Sequence, residues 1–369
     1  MNINGKHWRT IWLEDDGCAI GVIDQTKLPH VFTTLKLKSC QEVAKAISSM
    51  IVRGAPLIGV AGAYGLMLAL MENSCDEALE KSFEKLVSTR PTAVNLRWSL
   101  QRVFQRVQYL EPALRVSAAR DEADLIAKED VLLCEAIGVH GLSLLKRLCE
   151  SRPLNRQNEP LNLLTHCNAG WLATVDWGTA LAPIYKAHRS GLKLHVWVDE
   201  TRPRNQGTNL TAFELGCEGI PHTVIADNTG GHLMRNGLVD GVIVGADRVA
   251  SNGDICNKIG TYLKALAAYD NQLPFYVAIP SSTVDWSISD GSLIPIENRS
   301  GNEVTQIQGV LASDARKLEL IKIRLSPVNT KALNPAFDIT PSRLVTSLLT
   351  EHGEIPATRE GLLGISERL

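Results

Sequence analysis

Residues 240–248, Asp-Gly-Val-Ile-Val-Gly-Ala-Asp-Arg, decide the fold: an apolar, β-branched run, GVIVG (241–245), ends on a carboxylate and an arginine. A run this short and this apolar fits a strand buried on both faces. Four similar runs lie around it: LNLLT (161–165), LHVWV (194–198), HTVIA (222–226) and FYVAI (275–279). Helical stretches of roughly one to two dozen residues separate them, which implies βαβ units and a parallel sheet. Right-handed crossovers then give a Rossmann-like, doubly wound α/β domain.

Ligands of open parallel sheets sit beyond the carboxyl ends of the strands. Here those ends carry His166-Cys167-Asn168, Asp199-Glu200-Thr201-Arg202-Pro203-Arg204-Asn205-Gln206-Gly207, Asp227-Asn228, Ala246-Asp247-Arg248 and Pro280-Ser281-Ser282-Thr283. Polar βα loops are ordinary. A thiol, a carboxylate and an arginine-rich loop gathered at one rim point to a small-molecule site. The chain lacks both the GxGxxG fingerprint and the GxxxxGK[ST] loop, so neither a dinucleotide nor nucleotide hydrolysis is supported.

Upstream the texture differs. WRTIWL (8–13) and CAIGVID (18–24) flank Asp15-Asp16-Gly17, which suits a hairpin. From Ser39 to about Leu148 apolar residues recur at helical spacing, and PLIGVAGAYGLMLALM (56–71) is apolar all round, as a buried helix is, with Pro56 in its first turn. The polar segment SRPLNRQNE (151–159) marks the boundary. The expected organisation is a β cap with a mainly helical domain over residues 1–150 and the Rossmann-like domain over residues 151–369.

The 369 residues are enough for two domains. A formal net charge of −2 and the lack of Lys/Arg runs argue against a nucleic-acid partner. The start, MNINGKHWRT, carries no apolar signal segment, and no stretch reaches the roughly 18 apolar residues of a membrane span, so a cytoplasmic protein with no membrane partner is expected. Eight cysteines are scattered without a CxxC pair, as reduced thiols would be. His166 beside Cys167 has no third ligand at a suitable spacing, so no metal is expected.

The candidate groups each have two readings. Cys167, at a strand end ahead of an expected helix, is either a thiol activated by the helix N-terminus or a buried structural cysteine. Asp247, leaving an apolar strand, has the setting for a raised pKa and proton donation; otherwise it caps a helix or pairs with Arg248. Asn257-Lys258 is read in the first turn of a helix, holding an anion or merely solvated. Arg53-Gly54-Ala55 opens the buried helix, and Arg90 precedes another; two arginines at helix starts in an apolar half suit a phosphate.

Taken together, RGAPLIGVAGAYG, RPTAVNLRW, THCNAG, DETRPRNQGTNLTAFEL, DGVIVGADRVASNGDICNKIGTY and NPAFDITPSRLVTSLLTEHG resemble the methylthioribose-1-phosphate isomerases, from about residue 10 to residue 355. Ribose-1,5-bisphosphate isomerases and the non-catalytic regulatory subunits of a translation initiation exchange factor belong to the same wider family. The resemblance implies a small helical domain before a Rossmann-like domain and a homodimer without cofactor or metal. It implies conversion of 5-methylthio-α-D-ribose 1-phosphate into 5-methylthio-D-ribulose 1-phosphate in methionine salvage. Cys167 and Asp247 become the catalytic pair, with Asp247 the proton donor. Arg53, Gly54, Ala55, Arg90, Gln206, Asn257 and Lys258 become the substrate-binding set. Trp171, Trp177 and Cys256 stand where the family pattern has other, mostly smaller residues, and the two tryptophans are expected to shape the pocket wall.

Overall fold

The computed structural model describes residues 1–311 and 319–366; the remainder of the 151–369 stretch lies outside the described residues. A short hairpin of β1 (Asn2–Ile3) and β2 (Lys6–His7) precedes an antiparallel sheet of β3 (Ile11–Leu13), β4 (Ile20–Ile23) and β5 (Thr34–Leu37). The Asp15-Asp16-Gly17 turn joins β3 to β4, with Gly17 at φ +64°.

Five helices follow: α1 (Cys40–Ser48), α2 (Ala55–Glu72), α3 (Asp76–Val87), α4 (Val94–Val107) and α5 (Pro112–Glu150). Because α2 is apolar on every face, it can only be satisfied at the centre of a helical layer, and it packs against the other four. A side chain at Gly59 would sit 2.8 Å from the Asn95 carbonyl oxygen, so the close α2–α4 approach requires glycine. The long α5 serves two cores. Ala119, Ala123 and Ile126 pack with α2 and α4, whereas Ile137, Leu144 and Leu145 pack beneath the large sheet.

The second half holds β6 (Leu161–Thr165), α6 (Leu181–Arg189), β7 (Leu194–Asp199), α7 (Ala212–Cys217), β8 (His222–Ile225), α8 (Thr229–Arg235) and β9 (Gly241–Val244). It continues with β10 (Arg248–Ala250), β11 (Ile255–Lys258), α9 (Thr261–Asp270), β12 (Phe275–Ala278) and β13 (Val284–Asp285). After α10 (Asn302–Thr305), a hairpin of β14 (Gln306–Val310) and β15 (Leu320–Arg324) leads to β16 (Phe337–Thr340), β17 (Ser347–Thr350), β18 (Gly353–Ile355) and α11 (Arg359–Ser366).

Seven strands form the main sheet in the order β18-β17-β12-β9-β6-β7-β8, parallel throughout except for the β17–β18 hairpin. Alternate residues feed opposite cores: Leu163, Ile243 and Ala278 face one layer with α6, and Leu164, Val242, Val244 and Val277 face the other with α8 and α9. Both faces are covered, which is why these strands read as continuous apolar runs. From β6 the chain winds outward through β7 and β8, then returns to β9 on the other side. The switch point therefore falls between β6 and β9.

The reading of Asn257-Lys258 as a helix start is corrected. Both lie in β11, and Asn252-Gly253 forms the tight β10–β11 turn, with Asn252 Oδ1 accepting from the Asp254 amide at 3.0 Å and Gly253 at φ +92°. The sheet β13-β10-β11-β16 claims the segment because Asn257 pairs with Asp338 and Lys258 with Phe337, a long-range partner invisible to local pattern.

Candidate active site

Adjacent strand ends bring the two reactive groups together. β6 and β9 run side by side, with Leu163 opposite Gly241 and Leu164 opposite Val242, and Thr165 Oγ1 donates to the Ile243 carbonyl at 2.7 Å. One residue past Thr165 the chain leaves the sheet at His166-Cys167; past Val244 it leaves at Gly245-Ala246-Asp247. Cys167 and Asp247 line one small hollow of about 30 Å³, shared with Arg53, Gly54, Ala55 and Asn257.

Gly54 at φ +101° lets the loop before α2 enter from the helical layer. A side chain there would lie 2.5 Å from Ala173 Cα, so only glycine fits. Behind it, Arg53 is clamped: Nη1 donates to Asn168 Oδ1 at 2.5 Å and Nη2 to the Asn168 carbonyl at 2.8 Å.

Arg90 lines a neighbouring hollow of about 20 Å³ together with Gly54, Ala55 and Asp247, and pairs with Glu297 at 3.0 Å. Lys258 is buried, donates to the Ala336 carbonyl at 2.9 Å, and lies close enough to Cys167 and Asp247 to interact with both charges. Gln206 lines a much larger cleft of about 340 Å³, to which Arg53 also belongs. The roomier of these spaces is thus not where the thiol and carboxyl stand; chemistry assigns the reacting end to the small hollow, and Arg53 joins the two.

Burial sets the resting protonation. It pushes the Cys167 thiol above its usual range, with Arg53 and Lys258 opposing and Asp247 reinforcing. It raises the Asp247 carboxyl against the pull of Lys258, Arg90 and Arg53, in the direction expected of an acid leaving an apolar strand. It also lowers the Lys258 ammonium.

The expected activation of Cys167 by a helix N-terminus is therefore corrected. The residue sits in the left-handed region at φ +64°, a 3-10 turn (Trp171–Ala173) comes next, and α6 starts only at Leu181. Its amide is held instead by Thr201 Oγ1 at 2.9 Å. The N-terminus of α9 is likewise occupied from within: Asp338 accepts from the amides of Gly260 at 2.6 Å and Tyr262 at 3.2 Å.

Sequence reasoning missed the support beneath the site. Glu214, wholly buried on α7, accepts from Asn168 Nδ2 at 2.9 Å and from the amides of Trp171 at 2.9 Å and Leu172 at 3.1 Å, and receives the Tyr185 hydroxyl. Burial pushes its carboxyl up to about 7. A carboxylate within the inward face LTAFELGC was the available signal.

The tryptophans do not shape the pocket wall. Trp171 is buried edge-on to Phe213, and Trp177 lies under the Lys186 ammonium at 4.0 Å; neither lines the three spaces described, whereas Cys256 lines the hollow of Arg90.

A metal reading gains two donors that spacing did not reveal. His166, Asp199 and Asp227 present ligand atoms within 4.8 Å of one another. The group does not suit a cation: Lys264 Nζ already sits 3.0 Å from Asp199 Oδ2, and both ring nitrogens of His166 are engaged, by Asp199 at 2.9 Å and the Ile259 carbonyl at 2.8 Å.

Residues 51–357 match the model of the Initiation factor 2 subunit family. The chain is 56% identical to a methylthioribose-1-phosphate isomerase of Methylocella silvestris over 98% of its own length and 97% of the relative's. Among solved structures, 5-methylthioribose 1-phosphate isomerase from Pyrococcus horikoshii superposes with a TM-score of 0.81 at 36% identity, covering 99% of this chain and 97% of the other. A translation initiation factor eIF-2B delta subunit from A. fulgidus superposes with a TM-score of 0.77 at 37% identity, covering 97% and 100%.

Proposed function

Because the chain belongs to the Initiation factor 2 subunit family, among its methylthioribose-1-phosphate isomerases, we propose that Cys167 and Asp247 carry out the aldose–ketose isomerisation of 5-methylthio-α-D-ribose 1-phosphate to 5-methylthio-D-ribulose 1-phosphate at the β6–β9 switch point. The observation that supports this reading most directly is the shared hollow: thiol, carboxyl and the Arg53-Gly54-Ala55 loop meet where the sheet's topology puts a ligand.

Phosphate on the anomeric oxygen blocks spontaneous ring opening, so an acid must protonate the ring oxygen as it leaves. Asp247, whose carboxyl burial raises above its usual range, is that acid. Hydrogen then passes from C2 to C1. It travels either as a proton, with Cys167 as thiolate base, or as a hydride, after which the Asp247 carboxylate takes the proton of the 2-hydroxyl. Arg53, the Gly54 and Ala55 backbone, Arg90, Asn257 and Lys258 hold the phosphate end, and Gln206 the other end.

The division into residues 1–150 and 151–369 fits this reading, with α5 shared between the two cores. A cytoplasmic homodimer with a sugar phosphate as its partner, and neither nucleic acid nor membrane, completes the proposal. Helix α2 is long and apolar enough to span a membrane, but is 83% buried inside the fold. Proton NMR of the purified protein with 5-methylthioribose 1-phosphate tests the activity: ketose phosphate is expected, and its absence would rule the reading out.

A further inference from the structure

Three residues that stand two positions past the ends of adjacent parallel strands are linked in a line: Cys167 after β6, Thr201 after β7 and Asp227 after β8. Asp227 Oδ1 accepts from the Thr201 amide at 2.8 Å, and Thr201 Oγ1 accepts from the Cys167 amide at 2.9 Å. The Thr201 hydroxyl donates to the Asp199 carbonyl at 3.0 Å, so its one hydrogen is committed and its oxygen is left to accept. Thr211 holds the other side of the same residue, its hydroxyl donating to the Cys167 carbonyl at 2.7 Å. Both threonines are fully buried.

Cys167 and Thr201 both lie in the left-handed region, at φ +64° and +65°. That conformation is unfavourable for a residue with a side chain, most of all for a β-branched one, and persists only where the surroundings enforce it. Cys167 stands beyond the ladders of β6, and its amide and carbonyl are met by the two threonine hydroxyls instead. A different φ at Cys167 re-aims its side chain, and with it the sulfur, relative to Asp247.

We propose that Thr201 and Thr211 are positioning residues for the reaction: their hydroxyls hold Cys167 in its left-handed conformation and so keep the sulfur aimed at the sugar beside Asp247. The proposal rests on the isomerase reading above and gives neither threonine a contact with substrate. Asp227, through the Thr201 amide, carries the support to the end of β8.

The test measures kcat, KM and inhibition by the ketose phosphate product in the unaltered chain, Thr201→Val, Thr211→Val, Thr201→Ser and Thr211→Ser. Valine keeps the branched shape and removes the hydroxyl; serine keeps the hydroxyl. Each valine variant is expected to lose about ten- to a hundredfold in kcat, the scale of a misplacement of about 1 Å, with KM and product affinity little changed. Each serine variant should recover most of that loss. A merely structural role gives another pattern. Asn168, next in the chain, carries Arg53, so a loosened loop weakens product binding as well as turnover. In Thr211→Val the Asn168 amide keeps its bond to Glu214, which leaves that grip intact. Near-normal kcat in the folded valine variants overturns the proposal. So does a joint fall in turnover and product affinity, or a serine variant no better than its valine counterpart. If a valine variant does not fold, the matching alanine variant takes its place in the comparison. The isomerase reading survives each of these results. No ketose from the unaltered enzyme removes that reading and the proposal with it.

Discussion

Glu214 and Asn168 form the hinge between the buried support and the reactive loop: Glu214 Oε1 accepts from Asn168 Nδ2 at 2.9 Å, and Asn168 in turn takes both terminal nitrogens of Arg53. The Arg53 guanidinium therefore points into the hollow only while Glu214 fixes the Asn168 amide. Glu214→Gln puts a donor where an acceptor is required and strands at least one buried amide, a loss of about 1–3 kcal/mol. Thermal unfolding should show that loss. Inhibition by the ketose phosphate product should weaken several-fold in addition, because Arg53 is released. A lower melting temperature with unchanged product affinity would make Glu214 purely structural.

Asp130 predicts a pH signature. Its Oδ2 accepts from the Val175 amide at 2.6 Å, and burial, aided by Asp176, pushes the carboxyl from 3.8 up to about 7. The folded chain keeps a proton that the unfolded chain releases, so stability falls as pH rises between those values and the full loss is present above about 7. Glu214 acts in the same direction. Asp130→Asn retains an oxygen for Val175 but has no charge to bury. Its melting temperature relative to the unaltered chain should be higher at about pH 8.5 than at about pH 5.5. A pH-independent difference would contradict the assignment.

The heavy-water experiment separates the two hydrogen routes. Because burial holds Cys167 as a thiol, no thiolate base stands ready in the hollow, and a dry pocket suits hydride transfer. Product formed in deuterium oxide should carry no solvent deuterium at C1 by NMR. One deuteron there would make Cys167 the base of a proton route.

Ribose 1,5-bisphosphate should be a poor substrate. Its second phosphate would enter a cleft lined by the Glu303 carboxylate, whose neighbouring arginines are already paired. In a mixture of the two sugars, turnover should favour the methylthio substrate by at least tenfold, the value of about 1.4 kcal/mol. Comparable rates would point to cations of the cleft, such as Lys322, answering the second phosphate.

Much of this was legible before any coordinates. Four of the five apolar runs became the inner strands of the parallel sheet, where covered faces leave little polar period to confuse, and the fifth became the edge strand β8, with Thr223 and Val224 exposed. Helix α2 announced itself by being apolar all round. Cys167 and Asp247 could be picked out because each follows such a run. Asn257 and Lys258 were misplaced because they lie beyond the short β10–β11 ladder and their own partners, Asp338 and Phe337, come some eighty residues on, so the pairing leaves a weak local trace. Strand β17 was overlooked although it forms a local hairpin with β18. The thiol was misjudged because proximity to an expected helix says nothing about desolvation, which dominates here. Glu214 supports the site from far along the chain, and the partners of its oxygens are three-dimensional facts.

The central claim is that Cys167 and Asp247 act together on one sugar phosphate. It is tested most directly by turnover of 5-methylthioribose 1-phosphate in Asp247→Asn and Cys167→Ser, each with its fold confirmed by circular dichroism and thermal unfolding. The account predicts a fall of about 10²–10⁴-fold or more in kcat for Asp247→Asn, and a clear fall for Cys167→Ser, where a more strongly hydrated hydroxyl replaces the thiol of the dry hollow, with the fold intact in both. Near-normal turnover in both would contradict it.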